Sequence, residues 1–276
     1  SAANKDFIRE IRNNLGRFLS IFFIVMLGVA FFAGLSASAP IMEYSMDQYF
    51  DEYNILDIQV LSTLGMTDED MQAIGEIPGV KQVQAGKFND ATSFIGTTEI
   101  VYRIHSLPEG YSQDSAGNYV NQVQVLEGRL PQTSGEIVIE ESMSMPSGLT
   151  IGDYITFKSG TNTPITQDAL ATDRFLVVGK VQTPYYLTYE KGSSTISSGT
   201  VNLFAYILES DFIYDYHIEA LVTVAGAKEL NAFGKDYQEK INDIKEQIEA
   251  ISGERCEIRV NEVRDDAEKA LAATCR

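Results

Sequence analysis

The chain has 276 residues, with 21 Lys and Arg against 39 Asp and Glu, and therefore a net charge of −18. The charge is uneven: residues 1–42 carry four basic and two acidic side chains, so the remainder has a net charge of −20. An acidic body argues against a nucleic-acid partner, because phosphate binding needs a basic face. It also argues against a body that lies flat on anionic lipid.

The first 17 residues predict a cytoplasmic amphipathic helix. Their basic side chains lie mostly off one helical stripe of apolar residues. That stripe consists of Phe7, Ile8, Ile11, Leu15, Phe18 and Leu19. A helix of this kind suits the headgroup zone of a membrane.

The apolar segment 18–42 contains no charged side chain over 25 residues. Two interpretations fit it: a cleaved export signal, with Ala37-Ser38-Ala39 as the cleavage site, or a permanent membrane helix. The apolar core exceeds the roughly 7–15 residues of a signal peptide. In addition, Pro40 follows the cleavage motif, where its locked backbone fits a peptidase poorly. The sequence therefore favours a first transmembrane helix at 18–42. Its basic end lies in the cytoplasm and residues 43–276 lie outside the plasma membrane.

The outer part begins with a predicted strand–helix–strand unit. Asn54–Ser62 alternates apolar and polar residues as a half-buried strand does. Thr67 can cap a helix, and the carboxylates of residues 68–70 suit the positive end of its dipole. A cation site is the alternative interpretation of those carboxylates. Pro78-Gly79 ends the helix, and Val80–Ala85 returns as a strand.

The middle of the chain, residues 92–210, predicts a β-rich region in which Gly, Pro and Ser clusters separate short strands. The candidate strands are Ser93–Ile104, Gln122–Leu126, Glu136–Glu140, Tyr154–Lys158, Phe175–Val181 and Val201–Leu208. Lys191–Thr200 is predicted to be an exposed loop. We place a β-rich insertion at about residues 127–210 of one extracytoplasmic domain, residues 43–260.

A second βαβ unit is predicted near the end of the chain. Ile218–Val224 forms its first strand, Lys228–Ile251 its helix with a clean apolar stripe, and Cys256–Val260 its closing strand. Together with the first unit it would form one α+β subdomain assembled from distant parts of the chain. Residues 261–276 predict the start of a further helix, and no Gly or Pro marks its end. We therefore expect the chain to be truncated in mid-element.

The sequence contains no recognisable catalytic, cofactor-binding or metal-binding set, and we predict neither enzymatic activity nor a cofactor. His105 and His217 are isolated along the chain, no zinc-type cluster is available, and the phosphate loop G-x-x-x-x-G-K is absent. Cys256 and Cys275 fit either a disulfide in an oxidising compartment or two free thiols.

Three tyrosines beside the predicted loop, Tyr185, Tyr186 and Tyr189, form an aromatic stretch. Such a stretch is either a contact surface or sheet packing, and the strand preference of Tyr favours packing.

The segment LEGRLPQTSGEIVIEESMSMPSGLTIGDYITF (Leu126–Phe157) resembles the periplasmic core domain of MacB-like ABC transporter permeases. Its marks are the Gly128-Arg129 turn with Pro131, the Gly135-Glu136 strand start, and the turn Leu149–Asp153 before alternating residues 154–157. Residues 175–187 resemble the strand and turn that follow in that family. Residues 5–35 resemble its amphipathic helix and first membrane span, and residues 53–83 its first strand–helix–strand unit.

We interpret the turn residues of this motif as structural. Gly128 and Gly152 permit turns that strain other residues, and Asp153 bonds the backbone of its turn. Arg129 pairs with either Glu127 or Glu136.

The resemblance implies an α+β fold. A porter-like βαβ subdomain would carry an inserted β-rich subdomain outside the membrane, behind the first of four spans. Residues 261–276 would begin a helix or coiled coil that leads toward the second span. It implies a permease subunit of a MacB/FtsX-type transporter that transmits ATP-driven motion to a lipid, peptide or protein partner outside the cell. The implied partners are a cytoplasmic ABC ATPase subunit, membrane lipid and a second permease copy. Two alternatives remain: an FtsX-like activator of cell-wall hydrolases, and a single-pass sensor or adhesion domain, or a secreted protein after cleavage.

Overall fold

The computed structural model describes residues 14–274, so most of the predicted amphipathic helix, and Cys275, lie outside the described residues. Residues up to Tyr49 and residues from Phe50 onward form two separate units. In chain order the elements are α1 (Leu15–Glu52), β1 (Ile58–Met66), α2 (Asp68–Gly75), β2 (Val80–Gly86), β3 (Phe88–Ile95), β4 (Thr98–Leu107), β5 (Gln124–Gly128), β6 (Glu136–Glu140), β7 (Tyr154–Thr156), α3 (Ile165–Asp168), β8 (Arg174–Gln182), β9 (Leu203–Leu208), β10 (His217–Val224) and α4 (Lys235–Thr274).

Helix α1 is a continuous helix of 38 residues that contains the predicted span and runs through Pro40. It is the one helix of residues 14–274 whose length and composition allow it to cross a membrane. At 1.5 Å per residue it is about 57 Å long, whereas the hydrocarbon core of a bilayer is about 30 Å thick. Ser20, Ser38 and Ser45 each donate a hydrogen bond to the carbonyl four residues earlier, which satisfies their hydroxyl groups within the helix.

The smaller sheet has the strand order β1-β10-β2, and β10 runs antiparallel to both neighbours. Strands β1 and β2 are therefore parallel and α2 connects them, which confirms the first predicted βαβ unit. One face of this sheet packs against α2 and α4 through buried Ile58, Ile74, Val222, Ile244 and Ile248.

The second predicted βαβ unit is wrong. The predicted closing strand, residues 256–260, lies inside α4, and no separate helix begins at Asn261 because α4 continues to Thr274. The alternation of apolar residues imitates a strand, yet the Ile258 and Val260 side chains are exposed on the helix surface. Glu257 and Arg259, on either side of Ile258, have good helix propensity, and no Gly or Pro follows to end the helix.

Helix α4 also begins later than predicted, at Lys235 instead of Lys228. The intervening residues form turns, in which Leu230 N–H donates to the carbonyl of Ala227 and Gly234 N–H to that of Asn231.

The larger sheet of the described chain has seven strands. Six follow the order β3-β4-β9-β6-β8-β5, and β7 pairs with β8. The sheet begins at Phe88, well before residue 127 where the predicted insertion opens. The difference arises because a single residue, Lys87, separates β2 from β3, so the chain enters the larger sheet at once.

Both faces of the larger sheet are buried. One face packs Tyr102, Ile137 and Phe175 against Phe157, which lies beyond β7. The other face carries Val138, Val178, Phe204 and Tyr206, with Tyr186 packed against them. The second face is the one from which polar side chains reach toward the smaller sheet.

Candidate functional site

A buried polar cluster joins the two sheets. His105 on β4 of the larger sheet and Glu219 on β10 of the smaller sheet are 3% and 2% exposed, and His105 Nδ1 lies 3.6 Å from Glu219 Oε1. Tyr185 donates its hydroxyl hydrogen to Glu219 Oε2 at 2.7 Å, and Gln59 Nε2 donates to the same oxygen at 2.8 Å. The hydroxyl of Tyr186 lies 2.7 Å from His105 Nε2. We call these five residues the sheet-linking cluster.

Burial and hydrogen bonding act in opposite directions on the carboxyl of Glu219. Burial raises its pKa, but the His105 interaction and the hydrogen bonds from Tyr185 and Gln59 outweigh burial and lower the pKa overall. Burial, followed by the nearby Glu219 charge, raises the pKa of Tyr185. The cluster therefore favours a charged carboxylate that accepts hydrogen bonds from a neutral phenol.

The Glu219 side chain lies over Gly86, the residue that pairs with it on the neighbouring strand β2 of the smaller sheet. A side-chain carbon added to Gly86 would lie 2.7 Å from Cγ of Glu219 and 2.8 Å from its Oε1. A cavity of about 20 Å³ beside the cluster is lined by Gln84, Tyr111 and Asn121, among others. It is large enough for about one water molecule.

A second set of contacts holds the end of α1. Asn54 and Asn121 both have positive φ, 49° and 53°, a conformation that Asn tolerates better than most residues. Asn121 N–H donates to the Asn54 carbonyl at 2.9 Å, and Asn121 Oδ1 accepts from Leu56 N–H at 3.0 Å. Asn54 Nδ2 donates to the Tyr119 carbonyl at 2.9 Å. Both asparagines are buried, so these hydrogen bonds are shielded from water.

Two further contacts tie the end of α1 to the segment before α4. Lys228 Nζ donates to the Asp51 carbonyl at 2.7 Å, and the rings of Phe50 and Phe233 lie 5.9 Å apart. We call the contacts made by Phe50, Asp51, Asn54, Asn121 and Lys228 the helix-end junction. Sequence reasoning missed both it and the sheet-linking cluster, because each joins residues far apart in the chain.

His217, like His105, has partners in the structure. His217 Nε2 lies 2.9 Å from Asp68 Oδ1, and its Nδ1 lies 4.0 Å from Glu209 Oε1. Lys87 Nζ contacts the same Glu209 oxygen at 3.2 Å. These contacts join α2, β10 and the β2–β3 link.

The acidic turn at residues 68–70 is used at the helix start. Asp70 Oδ2 accepts a hydrogen bond from Thr67 N–H at 2.8 Å, and its Oδ1 accepts one from Arg255 Nε of α4 at 2.5 Å. In the part of the chain that the structure describes, no three His, Cys, Asp or Glu side chains are placed to hold a metal ion. The contacts favour capping and dipole complementation over a cation site.

The turn residues of the MacB-like motif are structural in this molecule. Arg129 pairs with Glu136 and not with Glu127. Its two terminal nitrogens donate to the Glu136 carboxylate at 2.7 and 2.5 Å. These hydrogen bonds lower the pKa of Glu136 to about 2. Asp153 Oδ2 accepts from Thr150 N–H and Oγ1, both at 2.8 Å, as predicted.

The three tyrosines of the predicted aromatic stretch lie in two different environments. Tyr185 and Tyr186 are packed in and around the sheet-linking cluster, as the packing interpretation predicts, whereas Tyr189 is 82% exposed. The predicted loop at 191–200 contains no strand or helix. Lys191, at its start, is buried and lies 3.1 Å from Glu140.

The fold is thus a mixed α+β domain behind one long apolar helix. No family model and no curated protein matches the chain. Among solved structures, it is similar to the extracellular domain of the noncanonic ABC-type transporter YknZ from Gram-positive bacteria. That match has a TM-score of 0.36 and 16% identity, and it covers 66% of this chain and 85% of the other.

Two further structures are similar at the same level. The periplasmic region of MacB from Actinobacillus actinomycetemcomitans matches with a TM-score of 0.36 and 11% identity, over 70% of this chain and 76% of the other. A permease-protein domain from Porphyromonas gingivalis matches with a TM-score of 0.31 and 10% identity, over 70% of this chain and 73% of the other. These are permease and transporter domains of the type that the sequence motifs resemble.

Proposed function

We propose that the chain is part of a permease subunit of a MacB/FtsX-type ABC transporter. Residues 1–17 lie at the cytoplasmic surface, residues 18–42 form the first membrane span, and residues 43–276 are extracytoplasmic. The subunit carries no chemistry of its own. ATP hydrolysis belongs to a cytoplasmic ATPase subunit, and the permease, paired with a second copy, transmits the resulting motion to a lipid, peptide or protein partner outside.

The helix-end junction is the observation that carries this proposal beyond the sequence motifs. Helix α1 extends ten residues beyond the proposed span, from Glu43 to Glu52, which is about 15 Å of helix. Buried hydrogen bonds fix the backbone that follows the last turn of α1, and a fixed connection of this kind is compatible with transmission of motion. After the end of α1, the Asn54 carbonyl accepts a hydrogen bond from Asn121 N–H. In the last turn of α1, the Asp51 carbonyl accepts one from Lys228 Nζ.

The junction also gives motion a route into both sheets. The segment that bonds the end of α1 also receives hydrogen bonds from the smaller sheet, because Gln82 Nε2 donates to the Asn118 carbonyl at 2.8 Å. Val120 N–H in turn donates to Gln84 Oε1 at 2.8 Å. The same segment then continues into β5 of the larger sheet. A contiguous set of packed and hydrogen-bonded elements is what mechanical coupling requires.

Purification of the full protein from its own host tests the proposal. We expect an ABC ATPase subunit to co-purify in fixed ratio, and deletion of that subunit to abolish the permease-dependent phenotype. A chain that works fully without any ATPase refutes the proposal. Recovery of a cell-wall hydrolase on the outer domain would instead favour the activator role.

A further inference from the structure

A groove of about 260 Å³ lies between β1, α2 and α4. Its walls are mostly apolar and come from all three elements, through Val60, Leu64, Ile74, Ile248 and Ile251. Its rim carries the charged residues Asp70, Arg255 and Arg259, beside Cys256. We call it the β1–α4 groove.

The groove is open because β1 is an edge strand that leaves its neighbour partway. Strand β1 pairs with β10 from Ile58 to Leu61 and again only at Met66. Leu61 and Leu64 in this stretch are 59% and 43% exposed. An apolar groove flanked by exposed leucines is a feature that soluble surfaces usually avoid unless something binds there.

The charged side chains that line the groove indicate what kind of ligand head group it would bind. Arg255 uses only Nε toward Asp70, and its two terminal nitrogens donate to no acceptor within residues 14–274. Arg259 donates from Nε to the Leu64 carbonyl and from Nη1 to Glu262. Asp70 pairs with Arg255 and Glu262 pairs with Arg259, so these charges balance, and the terminal nitrogens of Arg255 remain as donors for an acidic head group.

We propose that the β1–α4 groove binds the alkyl chain of a long-chain carboxylic acid, with the carboxylate on the terminal nitrogens of Arg255 and beside Arg259. Arginine presents two parallel N–H donors that match a carboxylate. A cavity of about 150 Å³ accepts benzene, so at that ratio the groove accommodates about ten carbons.

The inference goes beyond the proposed function, because binding of this acid requires no ATPase. Failure of the groove test would leave the ATPase co-purification result untouched, and the reverse also holds.

The test uses the full chain in nanodiscs of zwitterionic lipid. The probe is a decanoic acid analogue with a diazirine in its chain, and its neutral control is the corresponding alcohol. After illumination, labelled peptides are located by mass spectrometry. We expect acid-dependent labelling of the segments 60–66 and 248–259 that excess decanoic acid prevents. The alcohol should label these segments roughly tenfold less, the ratio that corresponds to one charge-assisted hydrogen bond.

Two matched tryptophan variants on α4 locate the ligand. Ser252 lines the groove and Gln247 does not, and both are exposed polar residues of the same helix. Ser252→Trp should remove groove labelling by both probes, whereas Gln247→Trp should leave it unchanged. Arg259→Gln should reduce labelling by the acid but not by the alcohol, a difference that misfolding cannot produce.

Four results would overturn the proposal. Labelling confined to α1, or equal labelling of wild type and Ser252→Trp, would show that the groove is not the site. Equal labelling by acid and alcohol would remove the role of the arginines. A dimer in native mass spectrometry that Ser252→Trp dissociates would assign the groove to a second copy of the chain instead.

Discussion

Removing the hydroxyl of Tyr185 tests whether the sheet-linking cluster holds the two sheets together. Tyr185→Phe deletes the hydrogen bond to Glu219 Oε2 at 2.7 Å and leaves Glu219, 2% exposed, with Gln59 as its one short donor. A hydrogen bond to a charged group contributes about 1.5–3 kcal/mol, and the Glu219 oxygen loses one of its two short donors. Gln59 also loses its bond to the phenol, but it is exposed and can turn to water. We therefore expect a loss of about 2–3 kcal/mol.

Urea unfolding of the full chain at constant detergent, followed by circular dichroism at pH 7, measures this loss. The direction of the Glu219 pKa shift determines the pH at which the loss should be measured. Because the pKa of Glu219 is lowered in the folded protein, its contribution is complete well above the ordinary value of 4.5 and is lost as the pH falls through the lowered pKa. In a thermal scan the same loss lowers the Tm by about 4–12 °C for a domain of this size.

The matched control is Tyr189→Phe, which removes the same hydroxyl from a side chain that is 82% exposed. It should change the unfolding free energy by less than about 0.5 kcal/mol. Glu219→Gln should cost about 2–4 kcal/mol. Its double mutant with Tyr185→Phe should show a coupling of about 1–2 kcal/mol, because both changes remove one shared interaction. Equal effects of Tyr185→Phe and Tyr189→Phe, or a coupling of zero, would refute the reasoning.

Three further outcomes are expected. Gly128→Ala should destabilise the domain more than Gly135→Ala: both glycines have positive φ, 79° and 84°, but only at Gly128 would the new carbon overlap the Val178 carbonyl. Urea midpoints compare the two. Asn121→Ala should cost about 1–3 kcal/mol, because it leaves Leu56 N–H without its side-chain acceptor, and amide exchange at Leu56 should accelerate. Glu136→Gln should flatten the pH dependence of stability between about 4.5 and 2, because the lowered pKa of Glu136 makes its contribution present above that window and lost as the pH falls through it.

Sequence patterns correctly predicted those elements whose strand, helix and turn signals lie within the element itself. The β1–α2–β2 unit follows from alternation over 54–62, a capped helix start at Thr67 and the Pro78-Gly79 turn. All three signals lie within the segment that they shape. The same local reasoning failed at residues 256–260, where the alternation of apolar residues is shared by a strand and by an exposed helix. The alternation alone does not decide between them, whereas the helix propensity of Glu257 and Arg259 and the lack of a following Gly or Pro favour the helix.

Neither the sheet-linking cluster nor the helix-end junction could be predicted from local sequence patterns. His105 and Glu219 share no motif, and they meet only because the chain leaves the smaller sheet at Lys87 and returns to it at β10. Asn54 and Asn121 look like ordinary loop residues. The one relevant sequence signal is that Asn tolerates positive φ better than most residues. This signal indicates a turn-like backbone position, but it does not show which distant residue the Asn contacts.

The helix-end junction and the sheet-linking cluster together constrain how motion could travel through this domain. The smaller sheet touches the end of α1 through Gln82, Gln84 and the segment around Asn121, and it touches the larger sheet through Glu219. A displacement that enters at Asn54 therefore reaches the larger sheet by two routes, along the chain into β5 and across Glu219 to Tyr185. Two routes between the same elements resist their rotation, because each fixes a different point. The two sheets should thus move largely as one body, and a variant that breaks the Glu219 route alone should loosen the sheets without detaching them.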